Sequence, residues 1–223
     1  MDPADEFHSP YLYVGNNPVM FRDPDGMVMT DFVDENGKLI QHYEDGLNTV
    51  FKITGEGAFK YYVDVFDDVS GNINFTALFT EQQRLNENNP NLQPITLTNG
   101  KKETYCNFAV QNFLSALHTV DPNLSVFRGN ANSMQGKFES SVDFQTTLSR
   151  DVASLKAFEG NLVIASWKNP NGHGHVAAFS TYTNMFNGEI ANIGNSNGFK
   201  SLDASFGLKN HPERTLKYFI FNK

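Results

Sequence analysis

Apolar positions along this chain change their spacing twice. Residues 1–27 hold no sustained period: Asn16, Asn17, Pro18, Pro24 and Gly26 interrupt it, and Asp25-Gly26 is a turn signal. From Met27 to about Phe66 the pattern shortens into β-like runs. Asp34-Glu35-Asn36-Gly37 supplies a hairpin loop between Met27–Val33 and Lys38–Tyr43, and Asn48–Thr54 and Lys60–Phe66 read as further strands. Thr80–Asn88 predicts a short helix, with Thr80 as its cap and Gln83 at the third position. The Asn- and Pro-rich stretch from Asn86 to Gly100 predicts a linker.

The second half opens on the clearest helical pattern. Cys106, Val110, Phe113 and Leu117 fall at i, i+4, i+7 and i+11, one face of a helix from Tyr105 to about His118 with Thr104 as its cap. A second helix is predicted from Asp143 to Phe158. Strand-like runs follow at Leu162–Trp167, His175–Tyr182, Glu189–Gly194 and Leu216–Phe221. Helices followed by closely spaced strands predict an α+β domain with an antiparallel sheet.

Composition narrows the function classes. A chain of 223 residues with 20 Phe can bury a sizeable core. No segment approaches the apolar length of a membrane span, and the first thirty residues lack a signal-peptide pattern. A net charge of −8 argues against nucleic acid as a partner, because phosphate backbones are met by clustered Lys and Arg. A lone cysteine excludes an internal disulfide framework.

That cysteine sits where chemistry is favoured. Near a helix N-terminus, free backbone amides and the helix dipole favour the thiolate, the form that attacks carbonyls. Its place in an apolar stripe is equally what core packing looks like. His175 changes the balance: it opens an apolar strand after the loop Lys168–Gly174, held rigidly yet reachable, as a base must be. If the strands from His175 and Glu189 form a hairpin turning near Thr183–Gly188, Asn195 comes opposite His175. Its amide would accept from the imidazole Nδ1–H; a shift of the turn would favour Asn192 or Asn197 instead. Asn107, His173, Asn192 and Trp167 are the expected substrate contacts around this core. His173 and His175 with Cys106 form too thin a ligand set for zinc, so neither metal nor cofactor is expected.

Two resemblances extend this. Tyr11-Leu12-Tyr13-Val14-Gly15-Asn16-Asn17-Pro18 followed by Asp23-Pro24-Asp25-Gly26-Met27 resembles the end of an Rhs/YD-repeat core domain. The resemblance implies a β-shell enclosing a variable C-terminal toxin, released by a cut after Met27 with Asp23 near the cleavage chemistry. Residues 100–223 are similar to the NlpC/P60, CHAP and amidase-effector branch of papain-like enzymes. The elements that carry this are Thr104-Tyr105-Cys106-Asn107-Phe108, Gly174-His175-Val176-Ala177 and Asn192-Ile193-Gly194-Asn195. The residues before Cys106 offer no match for those enzymes' oxyanion partner, leaving the Cys106 amide as one donor and the second unassigned.

The expected organisation is an Rhs remnant at 1–27, a β-rich linker or adaptor at 28–98 and a papain-like cysteine hydrolase domain at 99–223. The expected function is that of an Rhs-associated antibacterial toxin hydrolysing amide bonds, foremost in peptidoglycan peptides. It would be delivered within a larger secreted protein, and a cognate immunity protein, the Rhs shell and secretion machinery would be its partners. A protease, deamidase or transglutaminase acting on a target-cell protein would use the same residues. A non-catalytic binding module would leave Cys106 as core.

Overall fold

The computed structural model of the chain describes residues 29–66, 72–179 and 189–221; the Rhs-like stretch lies outside them. The described chain is α+β. Strands β1 (Thr30–Val33), β2 (Leu39–Tyr43), β3 (Thr49–Glu56) and β4 (Phe59–Phe66) form a sheet of order β2-β1-β3-β4. β1 pairs in parallel with β3, and the other two pairings are antiparallel. The β1–β2 turn is the one expected: Asp34 Oδ1 accepts from the amides of Asn36 and Lys38, and Gly37 takes φ 81°.

Helix α1 (Phe75–Asn88) begins five residues before the expected start. Asn74 caps it, its side chain accepting from the Ala77 amide, while Thr80 Oγ1 bonds back to the Thr76 carbonyl. The expected linker is packed structure: Asn86, Asn89 and Leu92 are buried, a 3-10 turn covers Pro90–Leu92, and β5 (Ile95–Thr96) pairs with β6 (Lys102–Glu103). Helix α2 (Cys106–Val120) has Tyr105, not Thr104, as its N-cap, with no side-chain capping bond.

Helix α3 (Ala131–Ser140) comes first, and the helix expected over Asp143–Phe158 is two elements instead, β7 (Phe144–Thr147) and α4 (Arg150–Phe158), with Asn130 and Ser149 capping the helices. Phe144 is drawn into the core, and the β-branched Thr146 and Thr147 pair with the last strand. There follow β8 (Val163–Trp167), β9 (His175–Phe179), β10 (Glu189–Asn192), β11 (Gly198–Ser201), α5 (Leu202–Phe206) and β12 (Lys217–Phe221). Strands β7 to β12 make an antiparallel sheet of order β11-β10-β9-β8-β12-β7. The β9–β10 pairing is that of the expected hairpin; the end of the predicted strand beyond Phe179 lies outside the described residues.

Alternation along this sheet separates two cores. Ile164, Val176, Ala178, Phe219 and Phe221 face α2 and α3, while Val163, Ala165, Ala177, Phe179, Tyr218 and Ile220 face α4 and α5. The first core continues through Val110, Phe113, Leu114 and Leu117 of α2 to Phe32, Phe51 and Tyr62 of the four-stranded sheet. One core therefore crosses residue 98, and α2 lies against β4 on one side and β9 on the other.

Polar side chains join α1, α2 and the edge of β4. Gln82 accepts from the Tyr62 amide and donates to the Lys60 carbonyl, at 3.0 and 3.1 Å. Asn112 Nδ2 donates to the Ala58 carbonyl and to Asn86 Oδ1, at 3.0 and 2.9 Å, and Asn86 Nδ2 reaches the Ala109 carbonyl at 3.3 Å. The Gln82 bonds occupy backbone groups that β4, at the edge of its sheet, would otherwise present. Truncating Asn86 strands several buried partners, so Asn86→Ala is predicted to lower stability by about 1–3 kcal/mol. Urea unfolding followed by far-UV circular dichroism measures this; an unchanged midpoint would show that the network contributes nothing.

Candidate active site

Cys106 is the first residue of α2, 6 % exposed and part of the first core. The backbone amides near its sulfur are its own, that of Asn107 and that of Val176 on β9. They favour the thiolate, but burial outweighs them and pushes the thiol pKa up.

His175, half-buried, opens β9 directly before Val176. Its Nε2 lies 3.1 Å from Asn192 Oδ1 and 3.2 Å from Ser205 Oγ. Ser205 Oγ donates to the same Asn192 oxygen at 2.7 Å, and Asn192 Nδ2 donates to the Ser196 carbonyl at 2.7 Å. With its nitrogen so engaged, the amide turns its oxygen to the imidazole. Nε2 then carries the proton and Nδ1 the lone pair, the form that can accept a proton. The ring meets Phe206 edge-on, centroids 4.8 Å apart. Burial, helped by the charges of Lys200 and Arg214 and opposed by the Asn192 bond, lowers the His175 pKa to about 4.

Register explains which asparagine reaches the histidine. Ile190 pairs with Phe179 and Ala191 with Ala178, so extending the ladder sets Gly194, not Asn195, across from His175. Asn192 lies two residues from that point on the same face, a diagonal neighbour. Its bond is to Nε2, where Nδ1 was expected. Asn195 is exposed, and among the described residues only its carbonyl is engaged, by Lys102 Nζ at 2.9 Å. Asn197 shapes the turn, accepting from the Gly194 amide and donating to the Leu92 carbonyl.

Other expected contacts have structural partners. Asn107 Nδ2 donates to the Gly129 carbonyl at 2.9 Å. Trp167 stands across from His175 in the β8–β9 pairing, with the Arg214 guanidinium 4.1 Å above its ring. His173 is exposed, and its carbonyl accepts from Asn169 Nδ2.

Sequence reasoning missed Ser205, Phe206 and Asn132. Asn132 holds the loop that delivers His175: Nδ2 donates to the carbonyls of Asn169 and Gly172, and Oδ1 accepts from the Asn169 amide. A Cβ on Gly174 would stand 2.3 Å from the Trp167 carbonyl oxygen and 2.4 Å from Asn132 Oδ1, so only glycine fits before the histidine. A capping serine at 201 and a left-handed Gly207 bracket α5, signals that could have located it.

Among the described residues no hydrogen bond joins Cys106 to His175, and none engages Nδ1. Strand parity accounts for this. Val176 and Cys106 share the core facing α2, whereas His175 packs on Phe206 of the opposite core. No group of three His, Cys, Asp or Glu side chains among the described residues is placed to hold a metal. No described helix is long and apolar enough to cross a membrane.

The chain matches no protein-family model, and no curated protein matches it.

The low His175 pKa predicts an acid-sensitive fold. A histidine titrates near 6.5 when unfolded, so between pH 6.5 and about 4 the unfolded chain binds the extra proton. This group's contribution is complete above pH 6.5 and falls by up to about 3 kcal/mol as pH drops to 4. Urea titrations at pH 7 and 4.5 on wild type and His175→Gln check it. The variant should lose less stability over that interval; equal losses would contradict the assignment.

Proposed function

We propose that the chain is a papain-like cysteine hydrolase that cleaves amide bonds, foremost those of peptidoglycan peptides, as the toxin of an Rhs-associated effector. The observation that carries this reading is the convergence at α2 and β9. A helix-N-terminal thiol lies near the amide directly after a histidine whose far nitrogen is held by Asn192, and the reading requires Nδ1 to turn toward the sulfur when substrate binds.

In this reading the resting pair is neutral thiol and neutral imidazole, because burial disfavours both charges. His175 Nδ1 accepts the thiol proton as sulfur attacks the carbonyl carbon, so proton transfer and attack are coupled. Asn192 Oδ1, accepting from Nε2–H, holds the imidazole and stabilises the imidazolium. The imidazolium then protonates the leaving amine, and water hydrolyses the thioester. The amides at the α2 N-terminus supply donors for the developing oxyanion. The Rhs-like residues 1–27 support delivery as part of a larger secreted protein, with the shell, the secretion machinery and an immunity protein as partners.

Burial of the thiol favours a second reading, a binding module in which Cys106 is core. Expression of residues 28–223 in the periplasm or cytoplasm of a bacterial host separates the two. The proposal predicts lysis from the periplasm alone, lost in Cys106→Ala, His175→Ala and Asn192→Ala. Cytoplasmic killing that needs Cys106 would move the target to a protein acted on by a protease, deamidase or transglutaminase. Toxicity surviving all three substitutions would remove the catalytic assignment.

A further inference from the structure

Away from Cys106, a groove runs along the face of α2 between β4 and the 122–128 segment. It comprises cavities of about 550 and 310 Å³ that share Tyr61, Ser115, Val126 and Arg128 as lining. From Gln111, lining the smaller, to Pro122, lining the larger, α2 and its exit span about 16 Å at 1.5 Å per residue. At about 3.3 Å per residue an extended peptide of some five residues fills that length.

The groove's chemistry selects the peptide. Arg128 lines both cavities with its guanidinium over the Phe59 ring, 5.8 Å from the centroid, and among the described residues it has no carboxylate partner. Lys137, which donates to the Arg128 carbonyl, also has no carboxylate partner among them. The carboxylates bordering the larger cavity, Asp121 and Asp143, accept from the Asn123 and Ser125 amides, which leaves Arg128 as the charged side chain free to meet a ligand there. The hydroxyls of Tyr61 and Ser115 make no hydrogen bond among the described residues, so two further donors line the groove with Arg128. The one carboxylate in the lining, Glu56, belongs to the smaller cavity alone. A planar guanidinium steadied on an aromatic ring suits bidentate contact with a carboxylate.

We propose that this groove is a recognition site for an acidic peptide in extended conformation, with Arg128 gripping a carboxylate and Tyr61 and Ser115 donating along the chain. Asn107, beside the thiol, and Gln111 both donate to the Gly129 carbonyl, so the Arg128 loop is fixed to the first turns of α2. The groove thus extends from the second turn of α2 to its C-terminal end, and its occupancy does not depend on chemistry at Cys106.

Fluorescence anisotropy with labelled Glu-Ala-Glu-Ala-Glu and its Gln counterpart, both blocked at their termini, tests this on the full chain carrying Cys106→Ala. The Glu peptide should bind at least tenfold more tightly than the Gln peptide at low salt. Arg128→Gln should abolish that preference, whereas Lys137→Gln, an equal charge change outside the groove, should weaken binding less than threefold. Thermal melting verifies that both variants fold. Equal binding of the two peptides, or equal losses from both variants, would overturn the proposal. Displacement by inorganic phosphate at the peptide's own concentration would also overturn it, since the site would then read a lone anion.

Discussion

Everything at the candidate site depends on the burial of α2 between two sheets. Its Val110, Phe113, Leu114 and Leu117 are at most 2 % exposed, touching β4 on one side and β9 on the other. A helix held on opposite faces cannot slide or tilt without opening a cavity, which in a close-packed core costs several kcal/mol. Its first residue is therefore fixed against the start of β9. Cys106 owes its contact with the Val176 amide to this packing, because no side-chain cap holds the α2 N-terminus.

The six-stranded sheet imposes the second condition. Both faces are buried, so its strands send successive residues into different cores. A histidine beside the cysteine's strand contact must leave from the other face, and this one is received there by Phe206, Ser205 and Asn192. The fold thus places His175 and its hydrogen-bond partners on one side of the sheet and Cys106 on the other. The resting site stays neutral, its amides and Asn192 placed to favour charges that burial opposes.

How much of this was legible follows from how local each signal is. The 34–37 turn, α2 and the β9–β10 hairpin are written in short patterns, and they stand where the sequence places them. Asn192 stands in the sequence reading only as an alternative to Asn195, because a directly opposite cross-strand neighbour is the first expectation, whereas a side chain also reaches its diagonal partner. The run 143–158 was read as one helix, although Phe144 and two threonines mark a strand; tertiary pairing with β12 decides it. Ala131, Met134 and Phe138, at i, i+3 and i+7 behind a capping Asn130, carried a helical signal that reasoning passed over. The 86–100 stretch looks like a linker by composition, but its asparagines serve the buried network and the turn beneath α2. No local pattern reveals that a polar residue's partner lies on another element.

The central claim is that Cys106 and His175 work as a pair. It is tested most directly by the rate at which iodoacetamide alkylates Cys106 in the native protein, compared between wild type and His175→Ala at pH 7.5. If His175 withdraws the thiol proton, wild type reacts at least tenfold faster than the variant while both remain folded. Equal rates, each as slow as global unfolding, would identify Cys106 as a core residue and contradict the account.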